Sequence, residues 1–104
     1  MVMQINWSVI ATKQLKKIHH YYSIKSNIRV ANRIIEGIIK KVTKLKDNPL
    51  IGVRDELLKD NGYEFRFIVE GNYKIIYYVS SDSISISAVF DCRQNPQKIT
   101  QISN

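Results

Sequence analysis

Several residue types are scarce in this sequence. Its 104 residues include one cysteine, Cys92, and two histidines, His19 and His20. A single cysteine excludes an intramolecular disulfide and a cysteine metal cluster, and it fits a reducing compartment. No apolar run approaches the roughly 18 residues of a membrane-spanning helix, and the N-terminus lacks the basic start and long apolar stretch of a signal peptide. We therefore expect a cytoplasmic protein without a membrane partner.

Acidic residues are scarce in the first part of the chain. Residues 1–46 hold ten basic residues and one acidic residue, a net charge of +9, whereas residues 47–104 have a net charge of −2. The basic block is either an ordinary solvated surface or a surface for an anionic partner, and charge alone leaves both interpretations open. The length and the 44% hydrophobic content fit one ordered domain, which we assign to residues 1–104.

Hydrophobic periodicity predicts one strand and two helices in the first half of the chain. Residues 2–7 alternate as a strand with one buried face. Ser8 stands where a helix N-cap is expected, and apolar residues then recur at helical spacing to about residues 26–27. A second helix is predicted at residues 27–46, and Asn48-Pro49 ends it. Because the joint between them is very short, the two helices are expected to form an antiparallel hairpin.

The second half of the chain changes to a period of two. Residues 50–62 are predicted to be a connecting loop, and strands are predicted at residues 63–69, 73–79 and 83–92. The order β-α-α-β-β-β with short connections predicts an α+β fold. In this fold the helical hairpin packs on one face of a mainly antiparallel four-stranded sheet.

The predicted faces of the sheet decide which side chains are available for function. A three-residue loop at residues 70–72 sets Phe67 opposite Ile75 and keeps the apolar sets of the strands together. In the last strand the set expected to face the helices is Ile84, Ile86, Ala88, Phe90 and Cys92. The open face is then expected to gather cations, hydroxyls and one ring: Arg66, Lys74, Tyr78, Ser85, Ser87 and Arg93. Such a face can contact phosphates and stack on a base, but an ordinary solvated face has a similar composition.

The sequence predicts no metal site and no cofactor. His19 and His20 are neighbours on a helix, about 100° apart, so they cannot form the same-face pair that a spacing of four provides. The sequence also contains no glycine-rich phosphate loop, no serine-nucleophile elbow and no metal motif.

Segments along nearly the whole chain together resemble the RelE/ParE superfamily, the toxins of type II toxin–antitoxin systems. The most specific parts are the Tyr73-Lys74-Ile75-Ile76-Tyr77 run and the terminal Val89-Phe90…Arg93-Gln94-Asn95-Pro96 element. The supporting segments are Ala11…Leu15-Lys16-Lys17-Ile18…Tyr22, Ala31, Leu45…Asn48-Pro49…Gly52 and Tyr63…Arg66. The long helical hairpin is closer to the ParE branch than to the RelE branch.

The resemblance implies a toxin that slows growth until a cognate antitoxin, normally encoded in the adjacent reading frame, neutralises it. Characterised ParE-like members act on DNA gyrase, whereas RelE-like members cut mRNA on the ribosome. In the RelE-like nucleases, basic residues that match Arg66, Lys74 and Arg93 hold the phosphates and stabilise the charge that develops at the scissile phosphate. These three are therefore the predicted catalytic residues if the chain is a nuclease. The residues predicted to bind the target are Tyr78, Ser85, Ser87 and Lys98.

The sequence departs from the RelE pattern in two respects. The late tyrosine of RelE-like members falls near Ile99, and no histidine follows His20. A nuclease without a good proton-transfer group loses roughly 10²–10⁴ in rate. The sequence therefore favours a ParE-like gyrase toxin. A ribosome-dependent mRNA endonuclease and an inactive member that only binds its antitoxin are the alternatives.

Overall fold

The computed structural model describes residues 3–60 and 62–93, except for the side chains of residues 57–60. These residues form β1 (Gln4–Trp7), α1 (Val9–Lys25), α2 (Ile28–Thr43), a 3₁₀ turn (Lys44–Lys46), β2 (Val53–Asp60), β3 (Tyr63–Glu70), β4 (Tyr73–Val79) and β5 (Ser83–Asp91). The strands form one sheet in the order β1-β5-β4-β3-β2. β1 pairs with β5 in parallel, and the other pairs are antiparallel. The predicted α+β class is confirmed, but the prediction of four strands is wrong because the sheet has five.

Both helices begin at the residues that the sequence offers as caps. Ser8 Oγ accepts a hydrogen bond from the Ala11 amide at 3.0 Å, and Asn27 Oδ1 accepts one from the Val30 amide at 2.9 Å. Each cap satisfies an amide that has no partner within the first helical turn. Only Ser26 and Asn27 separate the helices, and α1 and α2 pack as the predicted hairpin. No helix in the described residues has the length and apolar character needed to cross a membrane.

The main core lies between the helical hairpin and one face of the sheet. Tyr77 and Ile38 are the largest side chains that are fully buried. The other buried members of this core are Ala11, Val42, Leu45, Ile68, Tyr73, Ile75, Ile84, Ile86 and Val89. Trp7 packs against them from the end of β1. The face of the sheet that contacts this core is called the helix face below.

The predicted connecting loop at residues 50–62 is wrong, because residues 53–60 form β2 at one edge of the sheet. The sequence of this segment does not indicate a strand, since charged residues interrupt any apolar alternation. Charged residues are common on edge strands, where they oppose pairing with another chain. One of them, Asp55, is buried, and its Oδ2 lies 3.4 Å from Lys74 Nζ. No periodic signal in the sequence marks such a pairing.

The predicted register between β3 and β4 is also wrong. Glu70 pairs with Tyr73 around a two-residue turn, and Phe67 lies opposite Ile76 rather than Ile75. Gly71, the first residue of that turn, has a φ of +58°, a conformation that favours glycine and is typical of tight hairpin turns. The three-residue loop follows from the assumption that only one face of the sheet is apolar, and the structure buries apolar side chains on both faces.

A β-bulge in β5 also changes the predicted faces. Tyr77 pairs with Ile86 whereas Ile76 pairs with Ala88, so Ser87 is the extra residue. A bulge shifts the alternation of its strand by one residue. The residues before the bulge therefore keep the predicted orientation, and those after it are reversed.

The reversal brings apolar residues to the face away from the helices. Val89, predicted to point outward, packs into the main core, whereas Ala88 and Phe90, predicted to face the helices, lie on the opposite side. There they form a second buried cluster, beside Tyr78, whose members are Phe65, Ile76, Ala88 and Phe90. Cys92 was also predicted to face the helices, and it is exposed. We call the surface around the second cluster the open face.

Candidate functional surfaces

Arg66 forms hydrogen bonds to the segment that connects the helical hairpin to β2. It lies opposite Tyr77 in the sheet, which places it on the helix face and not on the open face as predicted. Its Nη1 donates to Gly52 O at 2.9 Å and to Leu50 O at 3.3 Å. Its side chain is only 16% exposed. The guanidinium is therefore hydrogen-bonded to backbone carbonyls and has little exposure to solvent.

Tyr77, in the central strand β4, bonds to the same connecting segment. Its hydroxyl donates to Pro49 O at 2.7 Å and accepts a hydrogen bond from the Gly52 amide at 2.9 Å. Burial raises the pKa of Tyr77, so the neutral, donating form of the hydroxyl is favoured. A Cβ at Gly52 would lie 2.5 Å from Tyr77 Oη. We call Arg66, Tyr77 and Gly52 the β2 clamp.

Lys74 lies on the open face of the sheet. It pairs with Phe90, a member of the second cluster. Its Nζ is 4.0 Å from the centroid of the Phe67 ring and 3.4 Å from Asp55 Oδ2. The ammonium charge is therefore compensated within the protein by a buried carboxylate and an aromatic face.

Arg93 follows the end of β5 and is bound by Asp91. Its Nε and Nη2 donate to the two Asp91 carboxylate oxygens at 2.9 Å and 2.6 Å, and its backbone amide donates to Oδ1 at 2.8 Å. The side-chain hydrogen bond from Arg93 lowers the pKa of Asp91 to about 2. The side chain of Arg93 is 66% exposed, so it remains accessible to a ligand.

The three predicted catalytic cations thus occupy three different settings. Arg66 is on the helix face beside β2, Lys74 is on the open face, and Arg93 is at the end of β5. Each has a carbonyl or carboxylate of the protein as its partner. The predicted gathering of these cations on one open face is wrong, because the true register turns Arg66 over. Their catalytic roles stay a prediction.

Tyr78 and Ser85, two of the predicted target-binding residues, are neighbours on the open face. They pair directly across β4 and β5. The Tyr78 ring packs on Tyr63 with the centroids 4.2 Å apart, and it meets Phe65 edge-on at 5.4 Å. Tyr63 is 46% exposed. The open face therefore presents an aromatic patch rather than the cationic patch that the sequence predicts.

The other two predicted target-binding residues lie elsewhere. Ser87 is the bulge residue of β5, and its carbonyl accepts a hydrogen bond from Ser8 Oγ at 2.9 Å, which ties the start of α1 to the sheet. Lys98 lies outside the described residues. Their roles at the target also stay predictions.

A cleft of about 480 Å³, which the sequence does not predict, lies between α1, the start of β4 and the end of β5. Tyr73 OH donates to Tyr22 OH at 3.3 Å in its wall, and burial raises the pKa of Tyr73. Lys17 from α1 and the Asp91–Arg93 ion pair at the end of β5 line it. The volume falls in the range of about 300–1,000 Å³ that is typical of binding pockets. Sequence periodicity cannot reveal this cleft, since its walls come from segments more than fifty residues apart. Within the described residues, no group of three or more His, Cys, Asp or Glu side chains could hold a metal ion.

The Asp91–Arg93 pair should stabilise the folded protein slightly at neutral pH, and this stabilisation should be lost in acid. The pKa of Asp91 is about 2 in the folded protein and lies below its ordinary value. The pair therefore contributes fully above about pH 4, and its contribution is lost as the pH falls towards 2. Because the Arg93 side chain is largely exposed, solvent screening should keep this contribution small. Urea unfolding of the parent and of Asp91→Asn measures it: the difference in unfolding free energy should shrink below pH 4. A difference that stays constant from pH 7 to pH 2.5 would contradict this assignment.

The sequence matches the family model of the ParE toxin of type II toxin–antitoxin systems over residues 5–96. The chain therefore belongs to the ParE toxin family, and the predicted resemblance to the RelE/ParE superfamily, closer to its ParE branch, is confirmed. No curated protein matches the sequence.

Solved structures of toxin–antitoxin proteins have the same fold. The chromosomal ParDE toxin–antitoxin system from P. aeruginosa matches with a TM-score of 0.72 at 18% identity, covering 86% of this chain and 96% of that chain. The RelBE2 toxin–antitoxin complex from Mycobacterium tuberculosis matches with a TM-score of 0.62 at 16% identity, covering 88% and 99%. The YoeB dimer from Staphylococcus aureus matches with a TM-score of 0.51 at 22% identity, covering 85% and 94%. At these identities the similarity establishes the fold alone.

Proposed function

We propose that this chain inhibits cell growth by poisoning DNA gyrase, and that a cognate antitoxin neutralises it. The toxin acts in the cytoplasm as one domain spanning residues 1–104. Membership of the ParE toxin family supports the toxin class. The ParDE and RelBE2 structures of similar fold are toxin–antitoxin assemblies, which supports an antitoxin as the partner of this chain.

The separation of the three cations is the main observation that favours a gyrase poison over a nuclease. A nuclease that relies on electrostatic stabilisation needs positive groups aimed at one scissile phosphate. Arg66 donates to backbone carbonyls on the helix face, and Lys74 pairs with Asp55 on the open face. Arg93 is exposed but pairs with Asp91 at the end of β5, away from the other two cations. This arrangement provides no convergent phosphate site on one face of the sheet. It favours a toxin that acts by binding a protein.

The open face is the surface we assign to the target. Tyr78 and Ser85 lie there beside the exposed ring of Tyr63. Aromatic side chains at the centre of a contact are typical anchors of protein–protein interfaces. This aromatic patch supports a role of Tyr78 in binding a protein target rather than a phosphate backbone.

Brief induction of the chain in cells without the antitoxin tests this function. We expect growth arrest, induction of a DNA-damage reporter and intact messages by primer extension. Arrest with mRNA cuts within codons and a silent reporter would establish the endonuclease instead. Unaffected growth at a confirmed protein level would identify the inactive alternative. Co-expression of the adjacent reading frame is the control, because an antitoxin should restore growth.

A further inference from the structure

One side of α2 carries a row of positive side chains. Its members are Arg29, Arg33, Lys40 and, directly after the helix, Lys44. On a helix of 3.6 residues per turn, their spacing places them within about 60° of one another. At a rise of about 1.5 Å per residue the row is about 22 Å long. All four residues are exposed, and we call them the α2 cation row.

The α2 cation row points away from the main core. The buried residues of α2 are Ala31, Ile38 and Val42, and helical periodicity puts them on the opposite side of the helix from the row. The open face lies on the other side of the sheet from both helices. A partner on the row and a partner on the open face can therefore be bound at the same time.

The charges of the row are not compensated within the protein. Among the residues that the structure describes, no carboxylate forms an ion pair with any of its four members. Glu36 is within helical reach of Arg33 and Lys40, yet it pairs with neither. On the sheet, in contrast, Lys74 and Arg93 each have a carboxylate partner. The row can therefore contact an anionic partner without breaking an internal ion pair.

The composition of the row indicates the kind of partner. The centres of protein–protein contacts are enriched in aromatic residues and depleted in lysine and glutamate, and the row has no apolar or aromatic member. It differs in this from the aromatic patch on the open face. A DNA duplex carries one negative charge per about 1.7 Å of its axis, so a duplex lying along the row presents phosphates over its whole length. The row therefore fits a nucleic-acid backbone better than a protein surface.

We propose that the α2 cation row contacts the phosphate backbone of the DNA duplex that gyrase holds, while the open face contacts gyrase itself. The inference rests on the proposed function, because that function supplies the duplex. Four backbone contacts give only weak, sequence-independent binding to free DNA. When gyrase holds both the toxin and the duplex, the same contacts form within one complex, at a high effective concentration. The row thereby favours gyrase that carries DNA over free gyrase.

Fluorescence anisotropy of a labelled DNA duplex with the purified full chain tests the row without gyrase. Between about 50 and 200 mM salt, four contacts predict a slope of about −3.6 when the logarithm of affinity is plotted against that of salt concentration. Lys40→Gln/Lys44→Gln removes two of these contacts. The slope should become about −1.8, and the dissociation constant at about 100 mM salt should rise about tenfold or more.

Lys13→Gln/Lys17→Gln is the matched control for this variant. It makes the same two substitutions, at the same spacing, at exposed positions on α1, so the two variants have the same net charge. Its dissociation constant should stay within about twofold of the parent value, because the lost charges lie outside the row. Equal weakening by the two variants would overturn the proposal, since it would show that net charge alone governs DNA binding.

Glu36→Gln provides a test in the opposite direction. It removes the negative charge that lies between Arg33 and Lys40, so the dissociation constant for the duplex should fall about two- to threefold. Circular dichroism checks that every variant is folded. Parent-like affinity in both Glu36→Gln and Lys40→Gln/Lys44→Gln would overturn the proposal. Binding of an RNA duplex at least about tenfold tighter than that of DNA would also overturn it, by assigning the row to RNA.

DNA cleavage by gyrase separates a failure of this inference from a failure of the proposed function. Half-maximal cleavage should require about fivefold more Lys40→Gln/Lys44→Gln than parent chain, whereas the α1 control should stay within about twofold. Parent-like cleavage by the α2 variant would overturn the inference and leave the proposed function intact. A parent chain that causes no cleavage would contradict the proposed function, whereas the anisotropy comparison alone decides whether the row binds DNA.

Discussion

Replacing Gly52 with alanine is expected to lower the free energy of unfolding by about 3 kcal/mol, the upper end of the usual cost of overpacking. The new Cβ would lie 2.5 Å from Tyr77 Oη, 2.7 Å from Tyr77 Cε1 and 2.9 Å from Phe67 O. Tyr77 is fully buried and Phe67 O belongs to the backbone of β3, so neither can move away without disturbing the sheet. Equilibrium denaturation in urea measures the loss.

Tyr77→Phe supplies the control for this clash. It removes the hydroxyl that bonds Gly52 and Pro49, and we expect it to cost about 1–3 kcal/mol because it leaves a buried amide unpaired. In the double variant the hydroxyl contact is already gone, so the combined loss should be smaller than the sum of the single losses. Strictly additive losses would mean that the clash of the alanine with the Tyr77 hydroxyl does not contribute to the loss, since the contacts with Tyr77 Cε1 and Phe67 O remain in Tyr77→Phe.

Arg66→Ala is expected to destabilise the protein by about 2 kcal/mol, because hydrogen bonds from a charged donor are worth about 1.5–3 kcal/mol. The variant removes the donors to Gly52 O and Leu50 O and so releases one side of the β2 clamp. Arg66→Lys should recover only part of the loss, since the flexible lysine side chain does not hold its ammonium in place as the planar guanidinium holds Nη1 beside the two carbonyls. Thermal and urea unfolding of the three proteins measure the effect.

Arg93→Ala is the matched comparison, because Arg93 is another of the three family-matched cations but its side chain is 66% exposed. Its unfolding curve at pH 7 should differ little from that of the parent. A catalytic role for Arg66 without a structural role predicts a different result: parent-like stability in Arg66→Ala. That result would show that the β2 clamp does not depend on Arg66.

The sequence predicts the first half of the fold well because local signals identify both helices. The Ser8 cap and the period of the apolar residues follow from local chemistry, and the structure confirms α1 and the hairpin. The sequence does not predict β2, because charged residues interrupt its apolar pattern and its buried carboxylate, Asp55, pairs with Lys74, which is distant in sequence. The sequence does not determine the register of β3 and β4, because both faces of the sheet are apolar and alternation does not select one pairing.

The candidate site was only partly predictable for the same reason. The family-matched cations are identifiable in the sequence, but their grouping depends on the register and on the Ser87 bulge, which are tertiary features. In the observed register of β3 and β4, Arg66 lies in the β2 clamp and not on the open face that the sequence predicts. The exposed side of α1 has one signal in the sequence, the basic block of residues 1–46. The exposure of Tyr21 and Ile24 became visible only once α1 was packed on the sheet.

The most direct test of the central claim is a DNA cleavage reaction with the purified chain, purified gyrase and supercoiled plasmid. We expect linear DNA to accumulate when all three are present, and not when gyrase or the chain is omitted. The adjacent reading-frame product should suppress this cleavage. Intact plasmid in the complete reaction, together with codon-internal cuts when the same preparation is added to ribosomes carrying mRNA, would contradict the account and identify the chain as a nuclease.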